Sequence, residues 1–164
     1  MGVLPRVLIV SLASVALAAP AISQKADSQI NPKSVALQRQ GQALLSAGKI
    51  DAAEDVLETA LAVDPRNRRA FVDLARVAEK QRLFGKAIRM TNKALQLEPN
   101  DPDAIAVQGE AMVELGAVAR AQQNLQKLQT ICVRGCPQVA QLSAVISRGP
   151  TVAAAKTPDV PKKN

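Results

Sequence analysis

Three residues return in this chain after one fixed interval. Ala53, Ala60 and Pro65 are followed 34 positions later by Ala87, Ala94 and Pro99, and the flanking stretch AAEDVLETALAVDPRN aligns with KAIRMTNKALQLEPND. Small residues at two fixed points and a proline near the end of the period mark a helical repeat array. One such unit is a helix pair that cannot bury its apolar face alone, so about three must stack, and the last needs a cap. Composition agrees. Phe71 and Phe84 are the only aromatic residues among 164, and alanine, leucine, valine and glutamine dominate. Small aliphatic side chains suit helices packed at close range, and alanine has the highest helix propensity. No stretch after the N-terminus alternates with period two, so the expected fold is all-α.

Counting back from each proline gives repeats Ser34–Asn67, Arg68–Asp101 and Pro102–Gly135, each expected to be two antiparallel helices. Asn31 stands before Pro32, and Asn67 and Asp101 hold the equivalent places before the next two repeats. Asn and Asp cap the open N–H groups of a helix start, and proline is tolerated at the first helical position. Gly48, Gly85 and Gly116 lie at or near the turns within repeats. A capping helix is expected over 137–148, with Val139, Leu142, Val145 and Ile146 as its inward stripe. Residues 24–33 read as a flexible lead. Residues 149–164 carry four helix breakers and no apolar stripe, and read as a disordered tail.

The pattern resembles the tetratricopeptide repeat family over residues 34 to about 131. The family's small residue at position 8 is Gly41, Ala75 and Gly109, and its alanine at position 20 is Ala53, Ala87 and Ala121. Position 27 runs Ala60, Ala94, Leu128, and position 32 runs Pro65, Pro99, Val133, so the third copy decays at its end. The family's usual Trp at position 4 and Tyr at position 11 are replaced by Leu37, Phe71, Ile105 and by Leu44, Ala78, Met112. Since a buried aromatic removes about 150–250 Å² from water, a core with less area per side chain implies modest stability. The small residues at positions 8 and 20 are expected where the two helices of one repeat cross.

The resemblance implies an all-α solenoid of helical hairpins, three repeats plus a C-terminal capping helix. It also implies a concave groove lined by first-helix residues. Carried onto this chain, these are Val35, Gln38, Gln42, Leu45 and Ser46, then Arg69, Val72, Arg76, Glu79 and Lys80, then Asp103, Ala106, Glu110, Val113 and Glu114. Gln38, Gln42, Arg69, Val72, Arg76, Lys80 and Glu110 are the candidate partner-binding residues. Charge along the groove runs from neutral through basic to acidic. A Lys–Asn clamp for a peptide's C-terminal carboxylate is absent, because position 9 holds Gln42, Arg76 and Glu110. Arg69, Arg76 and Lys80 are placed to pair with acidic groups of an extended segment.

Residues 1–23 form a separate unit. Arg6 precedes a 13-residue apolar run, Val7–Ala19, and small residues then offer cleavage after Ala18, Ala21 or Ser23. This is the layout of a secretory signal peptide. A spanning helix needs about 20 residues, so cleavage is expected rather than stable membrane insertion. An uncleaved anchor tethering the scaffold is the alternative. The style of the signal points to an exported protein of the bacterial periplasm.

Cys132 and Cys136 are the only cysteines. In an oxidising compartment a pair this close is expected to form a disulfide, worth about 2 kcal/mol for so short a loop. It would fix the angle between the last repeat and its cap. Redox pairs usually enclose two residues in a βαβ setting, so thiol–disulfide exchange is the lesser reading. With no histidine in the chain, no zinc site is completed and no His-based catalysis is available. No phosphate-binding glycine loop appears, and Asp51, Glu54, Asp55 and Glu58 follow helical spacing as a solvated face. No cofactor is expected, and the chain reads as a non-enzyme. A formal charge of +7 raises nucleic-acid binding, but the basic residues are scattered and lack aromatic platforms, so none is expected. The expected role is a protein–protein interaction module, an adaptor or assembly scaffold.

Overall fold

The computed structural model describes residues 29–151, so the signal segment 1–23, residues 24–28 of the lead and residues 152–164 lie outside the described residues. Seven helices follow one another: α1 (Pro32–Ser46), α2 (Ile50–Val63), α3 (Arg68–Lys80), α4 (Phe84–Leu97), α5 (Pro102–Glu114), α6 (Val118–Ile131) and α7 (Pro137–Arg148). No strand occurs among the described residues. Helices α1 and α2, α3 and α4, and α5 and α6 pair as hairpins, and each hairpin packs on the next. The first helices also pack in series, α1 on α3, α3 on α5 and α5 on α7, whereas the backbones of α2, α4 and α6 stay apart, bridged between α2 and α4 by the long side chains of Glu54 and Lys86. First helices that touch and second helices that splay make a curved solenoid with α1, α3, α5 and α7 on its inner side. The expected class is the one found: three helical hairpins and a capping helix.

Repeated local chemistry builds the repeats. Asn31, Asn67 and Asp101 cap α1, α3 and α5, accepting from the backbone N–H groups of Lys33 (2.9 Å), Ala70 (3.3 Å) and Ala104 (2.8 Å). Helix α1 starts at Pro32, as the Asn31–Pro32 pair predicts, so the lead ends at Asn31 and not at residue 33. Between hairpins the chain makes a four-residue turn with proline second. Asn67 N–H donates to Asp64 O at 3.1 Å, and Asp101 N–H to Glu98 O at 3.2 Å. Proline's fixed φ suits that position. The third copy begins at Cys132, where Gly135 N–H donates to Cys132 O at 2.7 Å and Val133 replaces proline. One extra residue follows, and Cys136 becomes the N-cap of α7. Cys132 and Cys136 are joined as a disulfide with Cα atoms 5.7 Å apart, across this altered turn.

Within hairpins a left-handed residue turns the chain: Gly48 (φ 74°), Arg82 (φ 60°) and Gly116 (φ 75°). These again fall 34 apart, and they correct the expectation for Gly85, which lies inside the first turn of α4. A side chain in the left-handed region costs about 1 kcal/mol that glycine avoids. Arg82→Gly is therefore expected to stabilise the chain by about 1 kcal/mol and to raise its melting temperature by several degrees. Thermal unfolding followed by circular dichroism checks this.

The small residues do what close packing requires, with one difference. Ala53, Ala60, Ala75, Ala87, Ala94 and Ala121 are fully buried. A Cβ on Gly41 would stand 2.5 Å from Leu57 Cγ, so α1 and α2 meet there, close to the Ala53 carbonyl. A Cβ on Gly109 would instead meet Leu142 of α7, at 2.7 Å from both terminal methyls. The position-8 glycine of the third repeat thus receives the side chain of the cap. Leu142 is fully buried with Ile105, Ala106 and Leu128, flanked by Val139 and Ile146. Val145 and Ile146 reach a neighbouring group around Met112, Val113 and Ala121.

Candidate functional site

The inner face is crossed by a chain of polar contacts that reaches all four first helices. Gln38 Nε2 on α1 donates to Asp73 Oδ2 on α3 at 2.5 Å. Arg76, one turn further along α3, donates from Nη1 to Asp73 Oδ1 at 3.0 Å and from Nη2 to Asp103 Oδ1 on α5 at 3.1 Å. Gln138 Nε2 on α7 donates to the same Asp103 oxygen at 3.0 Å. Beside this ladder Arg68 pairs with Asp101, and Gln141 Nε2 donates to Glu110 Oε1 at 2.7 Å. Buried polar groups are costly unless paired, so a satisfied ladder holds neighbouring repeats in one register.

Gln38, Gln42, Arg69, Val72 and Arg76, five of the candidate groove residues, line one cleft of about 260 Å³ with Asp73 and Asp103. Lys80 and Glu110 line a second cleft of about 320 Å³ between α3, α5 and α7. The candidates are thus brought to one face but divided between two depressions. Basic and acidic zones are also not separate: Arg76 of α3 meets Asp103 of α5, and Arg68 of α3 meets Asp101, the N-cap of α5, so opposite charges of neighbouring first helices close on each other. Sequence reasoning missed Asp73, Gln138 and Gln141. Gln138 and Gln141 were open to it, because α7 occupies the place of a fourth first helix.

Burial governs the carboxyls of this face. It pushes Asp73 above the ordinary carboxylate value, seconded by Asp103, while Gln38 and Arg76 pull the other way. It likewise raises Glu110, against Gln141, Arg76 and Arg148. Glu79 is pushed up to about 8, first by burial and then by the charge of Glu110, with Arg76 and Lys80 opposing. The sign follows from proton counts. Between its ordinary value of 4.5 and about 8, native Glu79 holds a proton that the unfolded chain has released. Stability therefore falls as pH rises through that window and levels off above it. The loss is expected to be on the order of 1 kcal/mol, below full linkage because the half-buried carboxyl keeps some solvent. Asp64 and Glu54 act oppositely, since their partners Arg66 and Lys86 hold them low and their contribution is lost in acid. Urea midpoints are expected to fall from pH 5 to pH 8 in the wild type, and Glu79→Gln is expected to flatten that slope.

Among the described residues, no group of three or more His, Cys, Asp or Glu side chains is placed to hold a metal ion, and no helix is long and apolar enough to cross a membrane. Three stacked helical hairpins with a capped, polar inner face define a helical-repeat solenoid protein. Residues 39–105 match the model of the tetratricopeptide repeat family. Solved structures share the fold. The TPR domain of Sgt2 from Aspergillus fumigatus superposes with a TM-score of 0.66 at 19% identity, over 72% of this chain and 79% of that one. The TPR2B domain of yeast Sti1, in a complex with pHsp70, gives 0.65 at 20% identity, over 72% and 98%. The second TPR domain of human RPAP3, in complex with the HSP70 peptide SGPTIEEVD, gives 0.62 at 20% identity, over 69% and 94%. Comparison with curated proteins finds no match.

Proposed function

We propose that this chain is an exported interaction module that holds an extended segment of a partner protein across its inner face, as an adaptor or assembly scaffold in the bacterial periplasm. The observation that carries the binding half is the cleft over α1, α3 and α5, where Gln42 and Arg69 flank the ladder. Similar folds solved with HSP70-derived peptides support the use of this kind of groove for an extended segment. The chemistry differs from a carboxylate clamp. Arg76 already shares its guanidinium between Asp73 and Asp103, so the face offers donors and acceptors side by side. It suits a polar segment of mixed sign better than a run of acids.

Export rests on the Arg6-led apolar run and the small residues after it. The mass of the protein recovered from the periplasm tests this half: a start near residues 19–24 supports it, and an intact residue 1 contradicts it. For the binding half, crosslinking in intact cells is expected to capture a partner with wild type and with Asp55→Lys on α2. Arg69→Glu with Gln42→Lys is expected to reduce capture roughly tenfold, the scale of losing one or two charged contacts. Equal capture by all three proteins would refute groove binding.

A further inference from the structure

The chain leaves α7 at Gly149, whose φ of 75° turns the backbone, and has reached the inner face two residues later. There the Thr151 N–H and hydroxyl both donate to Glu114 Oε2, at 2.9 and 2.8 Å. Thr151 forms part of the wall of the second cleft, opposite Glu79 and Lys80 of α3 and beside Glu110 of α5 and Arg148 of α7. The last described residue thus stands at the wall of that cleft.

We propose that residues 152–164 of this chain dock in the inner groove of the same molecule, over α5 and α3, and compete there with outside segments. Three observations support this occupant. The first is the tether: a segment held at the rim by a short link experiences an effective concentration in roughly the millimolar range, so even a weak contact is populated. The second is size and reach. Val152 and three alanines come first, small enough for a cleft of about 320 Å³. Lys156 follows five residues after Thr151, a reach of about 16 Å, which exceeds the roughly 8–10 Å between packed helix axes. The third is chemistry. The segment carries Lys156, Lys162 and Lys163 against Asp159. The Glu79 carboxyl lines the cleft with no hydrogen-bond donor reaching it among the described residues, next to Glu110. Lys80, Arg82 and Arg148 also line the cleft, so the tether rather than net charge selects the occupant. The segment contains Pro158 and Pro161, and proline's fixed φ lowers the cost of laying an extended segment along a groove.

Carbodiimide crosslinking of the full chain, followed by peptide mass mapping, tests the proposal without any partner. The probe joins lysines to carboxylates in contact. Lys156 is expected to join Glu79 or Glu110 roughly tenfold more often than Asp51, Asp55 or Glu58 on α2, the ratio a tethered segment at one address requires. The yield is expected to stay constant on dilution, as befits one molecule. Thr151→Pro removes the backbone donor and the hydroxyl, and is expected to reduce these links severalfold while the melting temperature is unchanged. Links spread evenly over both faces would overturn the proposal. So would a yield that falls with dilution, which marks a second copy as the source, or links indifferent to Thr151→Pro. These outcomes are independent of what the groove captures in the cell.

Discussion

Leu142→Ala is expected to destabilise this chain by about 3–4 kcal/mol, a large share of the 5–15 kcal/mol typical of a domain. Leu142 is the one fully buried residue of the capping helix. Its methyls fill the notch left by the missing side chain of Gly109, so their removal opens a cavity that neither helix can close easily. The partner substitution gives the account a sharper edge. Gly109→Ala alone gains about 1 kcal/mol of helix propensity but forces its Cβ against Leu142, and overpacking of this kind costs about 1–3 kcal/mol. It is expected to be net destabilising. In a Leu142→Ala background the same Cβ enters empty space, and Gly109→Ala is expected to stabilise. A urea double-mutant cycle reads this change of sign directly. Additive effects would mean that α7 does not dock on Gly109.

Arg76→Glu is expected to be the second largest effect, a loss of about 2–4 kcal/mol. The variant sets a third carboxylate between Asp73 and Asp103, whose partner Arg76 was. Asp73 is buried and would keep only Gln38. Arg76→Gln, which removes the charge without reversing it, is expected to cost about 1 kcal/mol, the scale of a hydrogen bond lost from a partly exposed group. Because burial already raises the Asp73 carboxyl, the penalty of Arg76→Glu is expected to shrink as pH is lowered toward 4.5, where the clustered acids take up protons. Chemical denaturation at pH 4.5 and pH 7 checks both magnitude and trend. The result also shows why Arg76→Glu is a poor probe of binding: it attacks the register of the repeats as well as the groove.

Much of the architecture was legible in the sequence, because what builds it recurs. The caps at Asn67 and Asp101, the prolines of the inter-hairpin turns and the buried alanines all obey the period of 34. The left-handed turn residue obeys it too, at 48, 82 and 116, but the middle copy is arginine. A search for glycine therefore settled on Gly85, three residues too far. What was not legible is what does not repeat. Asp73 occupies a place filled by Arg39 and Val107 in the other repeats, so nothing periodic marks it as the buried hub of the ladder. Gly41 and Gly109 hold one position of the repeat yet receive side chains from different helices. The reason is local. Leu57, which fills the notch at Gly41, has Leu125 as its counterpart in the third repeat, and there the cap supplies Leu142 instead. An interval predicts equivalent places, not equivalent neighbours at the end of an array.

The central claim is that the first helices form one continuous recognition face. Amide hydrogen exchange of the full chain, alone and with the partner recovered by crosslinking, tests it most directly. Slowed exchange confined to α1, α3, α5 and α7 is the predicted result. Protection on α2, α4 and α6, with the first helices unchanged, would contradict it.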